Sequence, residues 1–104
     1  MLEIISIKNS NNIWHLSKIM INPDHISIVA EASEVNSLFQ EGKINIGLNS
    51  KVMFSRLSMR TTSGFQDIIA VGSPTEILEK INRTTYEIYD EKLNNSSQKP
   101  PSNE

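Results

Sequence analysis

Turn signals interrupt the first 71 residues so often that no long helix fits among them. They are Asn9-Ser10-Asn11-Asn12, Asn22-Pro23-Asp24, Asn49-Ser50 and Thr62-Ser63-Gly64. Proline presets φ, glycine tolerates positive φ, and Asn and Asp side chains bond their own backbone, so each cluster reverses the chain. Between them lie short runs rich in β-branched residues, which predict strands over 2–8, 13–21, 25–32, 43–48, 51–61 and 65–71. In the second run Trp14, Leu16 and Met20 share one face, and Ile13, Ile19 and Ile21 share the other. In the third, Ile26, Ile28, Ala30 and Ala32 are expected on a single face.

Two segments read differently. Val35, Leu38 and Phe39 have helical spacing, with Gly42 as a stop, so a short helix is expected over 33–42. Gly72-Ser73-Pro74-Thr75-Glu76 is the strongest local signal: Ser73 as N-cap, Pro74 in the first turn and Glu76 completing a capping box. The helix that follows carries Ile77, Leu78 and Ile81 on one stripe and is expected to reach about residue 93. Residues 94–104 are polar, include Pro100-Pro101, and read as a disordered tail beyond a single domain spanning 1–93. The fold class is therefore α+β, mainly β: an antiparallel meander with one capped C-terminal helix. One helix covers one face of a sheet, so the second face implies either a barrel-like curl or a partner.

Aromatic residues are only 6% of the chain, which leaves its core to aliphatic side chains, and 15 isoleucines supply them. The abundance of isoleucine and asparagine, and of lysine over arginine, suits an AT-rich genome such as that of a low-GC bacterium or its phage. The absence of cysteine excludes disulfides, thiolate metal sites and cysteine nucleophiles. His15 and His25 lie on different segments with no metal-ligand spacing around them, so no metal is expected. The longest apolar run, residues 68–71, falls far short of the roughly 20 residues of a membrane span. Glu3 stands where a signal peptide carries positive charge, and a cytoplasmic location is expected.

No Walker loop, GxGxxG, GxSxG or HExxH pattern occurs, so no catalytic residue and no cofactor is assigned and the chain is read as a non-enzyme. Charge distribution says more than the net charge of −2. From 42 to 66 there is no acid, but there are Lys43, Lys51, Arg56 and Arg60; from 67 to 91 six acids face Lys80 and Arg83. On the strand after Lys51, alternation groups Phe54, Arg56, Ser58 and Arg60, a set suited to holding phosphate and stacking on a base. The same charges also serve as edge-strand gatekeepers or as partners of the acidic helix. Trp14, the single tryptophan, is a core residue or an interface anchor. Glu87, Asp90 and Glu91 form a solvated helix face or a docking surface for a basic partner.

Two stretches resemble the small flagellar and swarming FlbD (SwrD)-like family and similar small phage-encoded proteins. The first is 13–31, where Asn22-Pro23-Asp24-His25-Ile26 lies between two strands. The second is 52–81, where a strand, the turn at Gly64, a further strand and Ser73-Pro74-Thr75-Glu76-Ile77-Leu78-Glu79-Lys80-Ile81 look like that family's closing strand and helix. The resemblance implies the fold, a meander closed by a helix. Those proteins are shorter, so 33–50 stands as an insertion and 82–104 as an extension.

The expected function is that of a small non-enzymatic binding or regulatory protein, homo-oligomeric or occupying a host protein. The alternative is an oligomer that binds RNA or a phosphorylated nucleotide through the basic hairpin.

Overall fold

The computed structural model describes residues 1–83. The end of the C-terminal helix, Glu87, Asp90, Glu91 and the tail lie outside those residues. The strands are β1 (Leu2–Ser10), β2 (Ile13–Ile21), β3 (Ile26–Glu31), β4 (Phe54–Thr61) and β5 (Gly64–Val71), with helix α1 (Ser33–Gln40) between β3 and β4. A second helix, α2, starts at residue 74 and continues through 83. The strands form one antiparallel sheet in the order β2-β1-β5-β4-β3. The fold is thus mainly β, as expected, and the sheet does not close into a barrel.

Local chemistry accounts for most of the turns. Asn11 and Asn12 both hold positive φ, the requirement of a tight two-residue hairpin, and they join β1 to β2 along nine registered pairs. Asn22 Oδ1 accepts the Asp24 N–H at 3.0 Å and starts a 3-10 turn at Pro23–His25. That link joins the two outermost strands, which in a flat sheet would stand about 19 Å apart, four strand spacings. Three of its four residues are wound into a 3-10 turn that rises only about 2 Å per residue. The sheet must therefore coil until its edges approach at this corner, although no β2–β3 ladder forms.

Coiling gives the sheet two cores. On one face Leu2, Ile4, Ile21, Leu57, Met59 and Ala70 are buried together with Ile77 of α2. The other face buries Ile7, Ala32, Val35, Ile44 and Phe54, with Phe39, Ile46, Leu48 and Trp14 packed around them. One end of the second face is thus covered by α1 and by the segment 41–53, so the chain itself supplies much of the cover that sequence assigned to a barrel or a partner.

α1 has no side-chain N-cap, but its C-terminus is well made. Gly42 holds φ +77°, its N–H bonds the Phe39 carbonyl at 3.1 Å, and the Lys43 N–H bonds that of Leu38 at 2.9 Å. This is a Schellman stop, the role expected of Gly42. The strand expected at 43–48 does not form: the segment is irregular, with Gly47 at φ +71°. Ile44, Ile46 and Leu48 alternate because they drop into the second core, and no neighbouring strand pairs with them. Asn49 does make a turn, accepting the Lys51 N–H on Oδ1 at 2.8 Å, but no hairpin surrounds it. β4 consequently starts at Phe54 instead of residue 51.

Asn36 fixes where β4 starts. Its Oδ1 accepts the Phe54 N–H at 2.7 Å and its Nδ2 donates to the Phe54 carbonyl at 3.3 Å, so one amide side chain replaces a strand partner. Replacing Asn36 by Ala leaves a part-buried backbone donor unpaired and is expected to cost about 1–3 kcal/mol in chemical denaturation.

The capping box forms as expected. The Ser73 N–H donates to Glu76 Oε1 at 2.8 Å, and the Glu76 N–H donates to Ser73 Oγ at 3.2 Å. The Ser73 backbone N–H, and then its hydroxyl, hold the Glu76 carboxyl below its ordinary range. A carboxyl lowered on folding adds stability above its unfolded pKa and loses it as pH falls through the folded value. Glu76→Ala is therefore expected to destabilise the chain at neutral pH, and thermal melts of the two proteins should converge as pH drops below the ordinary glutamate range.

Candidate functional site

The β4–β5 hairpin carries the chemistry. Its register is set at the turn, where Thr61 Oγ1 donates to the Gly64 carbonyl at 3.1 Å and accepts the Ser63 N–H at 3.3 Å. From that turn Arg60 lies opposite Phe65, Ser58 opposite Asp67, Arg56 opposite Ile69 and Phe54 opposite Val71. The sequence assignment of Phe54, Arg56, Ser58 and Arg60 to one face agrees with this register.

What covers that face was not legible. Phe54 is fully buried and meets Phe39 of α1 edge to face, with ring centroids 5.2 Å apart at 80°. It cannot stack on a base, because α1 and the segment after it lie over that end of the sheet. Arg56 stays partly exposed and pairs with Asp67 at 3.6 Å. Ser58 Oγ donates to the other oxygen of the same carboxylate at 2.9 Å. A carboxylate thus stands among the groups expected to hold a phosphate, takes up one cation and repels an anion. Arg60 is exposed beside Phe65.

Sequence reasoning missed the partners on β5. Phe65 is 68% exposed, and Ile28, level with Ser58 on the adjacent β3, is 58% exposed. The signal was available in the turn at 62–64, which dictates that Phe65 opposes Arg60 and Asp67 opposes Ser58. Asp67 opens the acidic stretch 67–91 in sequence, but on β5 it stands across from Ser58.

The other candidates fall elsewhere. Trp14 is half-buried on β2 and packs at the margin of the second core, so it is both a core and a surface residue. On the same face of the β1–β2 hairpin, Ile5, Leu16 and Met20 are exposed. His15 and His25 are solvent-facing, and Asp24 is a turn residue. Among the described residues no helix is long and apolar enough to cross a membrane. The chain matches no protein-family model, no curated protein and no solved structure.

The Arg56–Asp67 pair lies at the surface, with side chains 39% and 50% exposed, so solvent screens it. A double-mutant cycle with Arg56→Ala and Asp67→Ala is expected to give a coupling energy below about 1 kcal/mol, falling with added salt.

Proposed function

We propose that this chain is a small non-enzymatic binding protein that acts in the cytoplasm by docking a polypeptide, a second copy of itself or another protein, on the outer face of the β4–β5 hairpin. One observation carries the reading: a phenylalanine left in solvent beside an unburied arginine, with Ile28 exposed on the next strand but one. Exposed single apolar residues are ordinary, but phenylalanine and arginine side by side are residue types enriched at protein interfaces. The neutralised Arg56–Asp67–Ser58 cluster beside them fits the polar surround of such a contact.

The nucleotide reading loses two supports. Its stacking residue Phe54 is inside the core, and Asp67 disfavours an anion at Arg56. Only Arg60 and the half-buried Trp14 remain to it, and they lie on different strands of the coiled sheet.

The test is a photo-reactive phenylalanine analogue at position 65, irradiated in the cells that make the protein. The expected result is one dominant cross-linked polypeptide, lost when Arg60→Glu is added while the fold is kept. Cross-links to RNA, or none at all, would remove the proposal.

A further inference from the structure

β1 and β5 are neighbours in the sheet, yet they share one registered pair, Ser6 with Ala70. β1 is held by nine pairs to β2, and β5 by eight to β4. Each hairpin keeps its own right-handed twist, and no ladder runs on past the Ser6–Ala70 bridge toward residues 8 and 68. There a cleft of about 310 Å³ opens where the ladder would have continued, lined by residues 6–8 of β1 and 66–69 of β5, with Ile19 from β2.

The identity of the lining residues says what the cleft can hold. Successive side chains of a strand point to opposite faces, so unbroken runs such as 6–8 and 66–69 can share one cleft only through their backbone edges. Two peptide edges facing one another across a gap require donors and acceptors in alternation. A second group asks for the same. Ser6 is 1% exposed, lines the cleft, and its Oγ has no hydrogen-bond partner among the described residues. A buried hydroxyl without a partner is costly, and since this one is closed to solvent it gains a partner only where β1 and β5 part to admit one.

We propose that this cleft is a peptide-binding site that takes a short extended segment of a partner chain as an added strand between β1 and β5. The lining runs are three and four residues long, so about three residues of peptide, near 10 Å of strand, are held. Strand alternation sends the middle side chain toward Ile19 and Ile68, which fit a β-branched apolar residue, while Ser6 Oγ bonds the peptide backbone. The cleft adjoins the Phe65 face and shares Asp67 with it, but the proposal does not rest on the reading of that face.

The test uses the isotope-labelled full chain and a blocked pentapeptide of alternating valine and threonine, with amide hydrogen exchange as the readout. In the free chain, amides of 6–8 and 66–69 that point into the cleft are expected to exchange fast. At a peptide concentration about ten times the dissociation constant they are expected to slow about tenfold. The same peptide with N-methylated amides is expected to have no effect. Slow exchange in the free chain would mean that the ladder is closed in solution and would overturn the proposal. So would fast exchange unchanged at millimolar peptide, which would leave only water in the cleft, or equal protection by the N-methylated peptide.

Discussion

The fold turns on how Phe54 is held. Its ring fills the second core, and its backbone N–H and carbonyl are both taken by the side-chain amide of Asn36. The carbonyl also accepts the Ala32 N–H at 3.1 Å, which ties the start of α1 to the start of β4. One residue thus joins a helix, a strand and a core. Just beyond it, the buried Ser55 hydroxyl donates to the Gly72 carbonyl at 2.7 Å, and the Gly72 N–H donates to the Met53 carbonyl at 2.8 Å. The entry to β4 and the exit from β5 are therefore locked together, and Gly72, at φ +129°, makes the bend into α2. Lys80 Nζ then reaches the Glu3 carbonyl at 3.1 Å, which fastens α2 across the first core to β1.

That arrangement divides the second face of the sheet. Near Phe54 it is roofed by α1 and by the irregular stretch 41–53, which lowers Ile44 into the core. Away from Phe54 nothing among the described residues covers Ile28, Arg60 and Phe65. The same residue alternation that yields a buried Phe54 yields an exposed Arg60 six pairs further along. The roof ends between them, and the functional reading follows from where it ends. A phosphate site needed both ends open; a protein-docking face needs only the outer one.

Elements dictated by neighbours in sequence were legible. The turn before β2, the Asn22 turn, the Gly42 stop and the Ser73–Glu76 capping box depend on a few adjacent residues and form as read, except that β1 runs on to Ser10 and leaves only Asn11-Asn12 in the first turn. Contacts between distant segments were not legible. Residues 43–48 alternate like a strand because Ile44, Ile46 and Leu48 fall into one core, and alternation cannot distinguish a ladder from a draped loop. The four residues read as one face of β3 are split by an irregularity in the β3–β4 register between Ile26 and Ile28. It puts Ile26 against the first core and leaves Ile28 exposed on the opposite face. One extra residue in a strand reverses every side chain beyond it, and no local signal marks it. The burial of Phe54 was hidden for the same reason, since Asn36 lies eighteen residues earlier.

The central claim is that this chain works by holding another polypeptide and not a small phosphorylated ligand. Native mass spectrometry of the chain freshly isolated from the cells that make it tests this most directly. The account predicts a complex whose added mass is that of a polypeptide, a second copy or another protein, released on denaturation. A bare chain, or one carrying a few hundred daltons of nucleotide, would contradict it.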